Sequence, residues 1–181
     1  HCLSSAASDV YKRQGSTDSR FRRERRGAKG RTQEIERLVA RSLRAAVDLE
    51  ELGPIALNVD CDILNADGGT RCASITAANL ALRLGVRRLI AAGVCLPKNM
   101  RPTEEQRRSG WSPPALSEEE QMAHEMRVME HDVAAISVGL IDGKSYLDLD
   151  YNLDSNADVD MNVVKVSNGA FVEVQGTGEE S

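Results

Sequence analysis

Aromatic residues make up 3% of this 181-residue chain, too few to build a platform on which bases stack. Any nucleic acid bound here would have to be held by its phosphates. The four cysteines, Cys2, Cys61, Cys72 and Cys95, show no CxxC spacing, which points away from a zinc framework and from a disulfide lattice. They read as reduced, partly buried thiols. No apolar run reaches the roughly 18 residues of a membrane span, so no membrane partner is expected. Residues 1–14, HCLSSAASDVYKRQ, lack the apolar centre and basic flank of a secretory signal. They carry no clear period either and read as a non-native or disordered segment, which leaves a cytoplasmic protein as the expectation.

Excess positive charge is also missing, the formal net charge being −5. That average hides a segregation. Between Arg20 and Arg31 there are six arginines and one lysine against one glutamate, whereas Glu118–Glu120 and Asp148–Asp160 are acidic. Segregated charge says more about partners than the total does. The basic segment suits a polyanion, although a solubilising terminus would have the same composition.

The elements follow from periodicity. From Thr32 to Leu52 the apolar positions Ile35, Leu38, Val39, Leu43, Ala46 and Val47 recur at three- and four-residue steps. This is an amphipathic helix, ended by Gly53-Pro54. Ile55–Leu64 alternates loosely and reads as a strand. After the Asp67-Gly68-Gly69 turn, Ser74 to about Leu89 has helical spacing, which Gly85 interrupts or divides into two helices. Residues 95–116 hold four prolines and the only tryptophan, an irregular excursion. Ser117 and Glu120 form a capping-box pattern that starts a helix running to about Glu130. Ala134–Leu140 and Ser145–Tyr151 flank Asp142-Gly143; Asn162–Ser167 and Phe171–Gly176 flank Asn168-Gly169. Each is a hairpin. The fold class expected is α+β, with helices packed on a mostly antiparallel sheet.

Chemistry concentrates at two places. In NADGGTRC (65–72) the glycines serve a turn, but Arg71 does not. Backbone N–H groups after Gly68 and Gly69 are unpaired donors at a positive helix end. Thr70 adds a hydroxyl, and Arg71 a fork matched to two phosphate oxygens. A turn whose arginine pairs with a surface carboxylate would look the same. Gly30-Arg31-Thr32 brings the same donors to another helix start. If the two starts face one point, a small anion such as inorganic phosphate fits between them; two independent helix starts are the alternative. DLDYNLDSNADVDMN (148–162) carries Asp148, Asp150, Asp154, Asp158 and Asp160. It is a poor EF-hand, with Leu153 where the loop needs glycine. It reads as polar decoration, or as a carboxylate pair beside a phosphate site, one a general acid and another positioning hydrated Mg²⁺. His124 and His131, on or near the acidic helix, read as surface residues.

GRTQEIERLVARSLRAAVDL, NVDCDILNADGGTRCASIT, AAISVGLIDG, DLDYNLDSNADVDMNVV and VEVQGTGE, in that order, resemble the ribonuclease PH family over about residues 15–179. The resemblance implies a ribosomal protein S5 domain 2-like fold. It implies a 3′-to-5′ exoribonuclease that uses phosphate instead of water, trims precursor tRNA 3′ ends and releases nucleoside diphosphates. A hexameric ring made of dimers and dependence on Mg²⁺ are implied as well. By the same resemblance Arg31 with Gly69, Thr70 and Arg71 binds phosphate, and Asp154 and Asp160 are the essential aspartates and possible metal ligands. The arginine-rich segment, with Arg20, Arg22, Arg23, Arg25 and Arg26, contributes to RNA binding. Against the family pattern, residues 15–181 read as a partial domain without the N-terminal strands and C-terminal helix, and about 95–122 as an inserted loop. The competing readings are a non-catalytic RNA-binding ring subunit, a hydrolytic metal-dependent nuclease and an inactive fragment.

Overall fold

A computed structural model describes residues 30–178 of the chain. Helix α1 spans Gly30–Arg44, α2 Leu49–Leu52, α3 Thr70–Ala91, α4 Glu104–Arg108 and α5 Glu118–Val128; strands β1 (Val133–Ile141) and β2 (Lys144–Leu147) follow, then the short helix α6 (Tyr151–Ser155), β3 (Val159–Val166) and β4 (Phe171–Gly178). The architecture is α+β, as its pattern predicts. The sheet runs β2-β1-β3-β4, every neighbouring pair antiparallel. Both hairpins form at their Asp-Gly and Asn-Gly turns.

One face of this sheet decides where the core ends and the site begins. Side chains alternate across a strand, so Val133, Ala135, Ser137 and Gly139 of β1 share a face. The antiparallel register sets them opposite Val166, Val164, Asn162 and Asp160 of β3. The first two pairs are apolar and join the core with Ile75, Ala78, Leu82 and Val86 of α3. The last two are polar, or lack a side chain on the β1 side. The layer under α3 therefore changes from hydrocarbon to hydrogen-bonding groups toward the N-terminus of that helix.

Four expectations need correction. The helix expected over Thr32–Leu52 breaks at Ala45–Asp48, where Asp48 caps α2 by accepting from the Glu50 and Glu51 N–H groups. Gly85 neither interrupts nor divides α3, which is continuous; packing along its length outweighs the roughly 1 kcal/mol helix cost of one glycine. Ile55–Leu64 forms no strand. Ile55 and Leu57 do turn toward the core, so the alternation is real, but no strand among the described residues pairs with it, and an extended chain without a ladder is coil. The helix starting at the Ser117 capping box does form, and its box is complete.

His124 is the fourth correction, being fully buried. Helix α5 turns His124, Glu125 and Val128 inward and leaves Met122 and Met126 largely exposed, the reverse of what side-chain polarity suggests. Charge pairing drives the inversion. Arg87 of α3 grips Glu125 with two hydrogen bonds of 2.6 and 3.0 Å, and Arg83, one turn earlier, reaches the same carboxylate. These bonds hold the Glu125 carboxyl below its ordinary range. His131 is partly exposed. Cys72 and Cys95 are buried and Cys61 is exposed, all free thiols.

Candidate active site

The site is assembled by an interlock between two turns. Gly68 has φ of +76° and Gly69 of +54°, the left-handed region open to glycine at little cost. A side chain at Gly68 would strike the Leu149 carbonyl oxygen, so this turn and the segment after β2 lie backbone against backbone. Two bonds close the joint. Asp67 accepts from the Tyr151 N–H at 3.1 Å, and Ser137 Oγ accepts from the Leu149 N–H at 3.0 Å. Leu149, fully buried, fills the space beside Gly139, where a Cβ would lie 2.7 Å from its methyl.

This joint sets α6 beside the start of α3, and it sorts the acidic run by role. Asp150 caps α6 by accepting from the Leu153 N–H. Asp158 accepts from the Asp142 N–H at the β1–β2 turn. Asp148 has the left-handed φ of +55° at the exit of β2. Asp154 and Asp160 line a common cleft instead.

That cleft, about 50 Å³, is bounded by Gly69, Thr70, Arg71, Ser137, Asp154, Asp160, Met161 and Asn162. Helix α3 begins at it with Gly69 as N-cap and no side chain capping its first turn, so the Thr70, Arg71 and Cys72 N–H groups remain as donors at a positive helix end. Arg71 Nε is buried and has no hydrogen-bond partner among the described residues. An unmatched buried donor is costly, and an anion oxygen would satisfy it. Cys72, beside it, bonds Asn162 through Sγ at 3.1 Å; burial pushes this thiol up to about 11, so it is no nucleophile at neutral pH.

The structure therefore brings together five of the six residues read from sequence as phosphate-binding or catalytic. Arg31, exposed in the first turn of α1, does not line the cleft. Helix α1 comes to the edge of the cleft through Glu34 instead, whose Oε2 lies 3.6 Å from a terminal nitrogen of Arg71. Arg20, Arg22, Arg23, Arg25 and Arg26 lie outside the described residues. Ser137, Asn162 and Glu34 went unnoticed in the sequence. Asn162 follows Asp160 by two positions and so shares its strand face, a signal that was available; Ser137 and Glu34 arrive only through tertiary register.

Among the described residues no group of three His, Cys, Asp or Glu side chains could hold a metal ion. Mg²⁺ asks for less, commonly one or two carboxylates completed by water and substrate phosphates. Asp154 and Asp160 meet that requirement. Nor is any described helix long and apolar enough to cross a membrane.

Comparison with known proteins agrees with this picture. The family model for the 3′ exoribonuclease family, domain 1, matches residues 7–85, and the model for domain 2 of the same family matches residues 131–181. Ribonuclease PH of Rhodopirellula baltica is 49% identical over 168 residues, covering 92% of this chain and 58% of the relative. Ribonuclease PH of Corynebacterium efficiens is 47% identical over 167 residues, 91% of this chain and 56% of the relative. The chain thus spans a little over half the length of these curated relatives. A chain of the Archaeoglobus fulgidus exosome, solved with RNA bound to its active site, superimposes with a TM-score of 0.51 at 18% identity, covering 88% of this chain and 55% of that one; this likeness bears on the fold alone. By both halves of its sequence, the chain belongs to the 3′ exoribonuclease, or ribonuclease PH, family.

Proposed function

We propose that this protein is a phosphate-dependent 3′-to-5′ exoribonuclease. The observation that carries the reading is the shared cleft: an uncapped helix opening with Thr70 and Arg71 on one side, and the carboxylates of Asp154 and Asp160 on the other. Inorganic phosphate, held by Arg71, the Thr70 hydroxyl and the free N–H groups of α3, attacks the phosphorus of the last diester. The bond from that phosphorus to the penultimate 3′ oxygen breaks. The products are a nucleoside diphosphate and an RNA one residue shorter with a free 3′ hydroxyl.

Two charge problems define the residues' work. An anion attacking an anionic diester meets repulsion, which the Arg71 guanidinium and the helix end offset. In this reading Arg31, exposed outside the cleft, adds positive charge at longer range from α1. The departing alkoxide needs a proton, which Asp160 delivers with Asp154 beside it in the cleft. Mg²⁺ bound by these two carboxylates would add charge neutralisation at the leaving oxygen.

With no stacking aromatics in the cleft, RNA would be held through its phosphates, by Arg20, Arg22, Arg23, Arg25 and Arg26 ahead of α1. Precursor tRNA 3′ ends as substrate, a hexameric ring of dimers and a cytoplasmic location belong to the same proposal and rest on family membership.

The test is RNA shortening with and without phosphate. Nucleoside diphosphates are expected only when phosphate is present. Arg71→Ala should raise the KM for phosphate about tenfold or more, the worth of a lost charge-assisted hydrogen bond. An unchanged KM would remove Arg71 from the phosphate site. Monophosphates formed without phosphate would mean hydrolysis, and unshortened RNA would mean a non-catalytic binder.

A further inference from the structure

To receive phosphate in a set orientation, the long side chain of Arg71 has to be held in place. That side chain is only a quarter exposed, yet its buried Nε has no hydrogen-bond partner among the described residues. Among the described residues the carboxylate within ion-pair range of it, Glu34, comes from a different helix. Oε2 of Glu34 is 3.6 Å from an Arg71 terminal nitrogen, while its Oε1 accepts a 2.9 Å hydrogen bond from Gln175 Nε2 of β4. The two oxygens are thus divided between an anchor and the arginine.

The anchor is part of a longer seam. Glu34 and Arg41 are seven residues apart on α1 and share a helix face. Glu173 and Gln175 are two apart on β4 and share a strand face. Arg41 bonds Glu173 at 2.8 Å, and Glu34 bonds Gln175, so α1 is fastened to β4 at two points a pair of turns apart. The groove along this seam, about 260 Å³, is lined by Gln33, Glu34, Arg37, Glu173 and Gln175 among others.

Resting on the phosphate-site reading, we propose that Glu34 is a positioning residue for Arg71, held in turn by Gln175. A carboxylate that merely filled the anion's place until substrate arrived would have to leave. Tethering to a second element argues against departure. With one terminal nitrogen turned to Glu34, the guanidinium keeps its remaining N–H groups for the co-substrate in a set orientation, and phosphate binds without first ordering a long side chain.

The test is steady-state kinetics with phosphate as the varied substrate. Glu34→Ala should raise the KM for phosphate about three- to fivefold, the upper range for a part-exposed ion pair, and leave kcat at saturating phosphate within about twofold of the parent. Glu34→Gln, which keeps the bond to Gln175 but not the charge, should fall between. Gln175→Ala should reproduce part of the effect and add nothing to Glu34→Ala in the double variant, since both act through one contact. Circular dichroism checks that the variants fold, as the exposure of Glu34 leads one to expect. An unchanged or lowered KM in Glu34→Ala overturns the positioning role, as does full additivity with Gln175→Ala. If instead the parent shortens RNA without phosphate, or fails to bind it by calorimetry, the functional reading falls and this inference with it. A parent that responds to Arg71→Ala but not to Glu34→Ala leaves the former standing and removes only the latter.

Discussion

His124 illustrates how a single residue's surroundings set its chemistry. Its Nε2 is 3.6 Å from Cys95 Sγ, and its Nδ1 faces Arg127 at 3.5 Å and Glu51 at 3.8 Å. Cysteine, histidine and carboxylate in such order invite comparison with a nucleophilic triad, but burial works against it. Burial pushes the Cys95 thiol up to about 11, and burial first, then the Arg127 and Arg101 charges, lowers the histidine below its ordinary value against the opposing pull of Glu51. Both groups are neutral in the folded protein. A histidine whose folded pKa is lowered gives stability above its unfolded pKa, near 6.5, and that stability is lost as pH falls toward the folded value. The melting temperature should therefore fall as pH drops below about 6.5, before the more acidic range in which Glu125 and Asp132 would contribute. His124→Gln should flatten this dependence; an equal slope in the variant would contradict the assignment. Sequence reading placed this residue on the surface, because it lies on an acidic helix. Arg71 was legible for the opposite reason: a glycine turn has no need of an arginine.

At the scale of elements, the turn before α3 carries the site. Gly68→Ala places a Cβ on the Leu149 carbonyl at a left-handed φ, so strain and overlap act together. We expect a loss of about 2 kcal/mol or more in denaturant unfolding and a raised KM for phosphate, because the interlock that sets α6 against α3 must open. Gly143→Ala is the control. Its φ of +73° is equally left-handed, but a Cβ there meets nothing within 4 Å, so about 1 kcal/mol is expected. Equal losses in the two variants would deny the interlock. Elements defined by local chemistry, the two hairpin turns and the Ser117 capping box, were readable in advance. The Ile55–Leu64 segment was not, since strand formation depends on a neighbour that local alternation cannot supply. Nor was the continuity of α3 through Gly85, which tertiary packing decides.

Across the whole molecule, an antiparallel sheet with one face graded from apolar to polar underlies one long helix, and the site lies at the graded end. The α+β class followed from element order alone. The gradient depends on the register of β1 against β3, which pairs Ser137 with Asn162 and Gly139 with Asp160, and non-local pairing is not written in either strand separately. Five residues of four kinds, a glycine, a threonine, an arginine and two aspartates, converge on one small cleft, and in the proposed reaction the anion that fills it is consumed. Labelled orthophosphate supplied with a 3′-tailed RNA tests this directly. The account predicts the label in the β-phosphate of the released nucleoside diphosphates, one label for each residue removed. Unlabelled nucleotide products, with water as the source of the new oxygen, would contradict it.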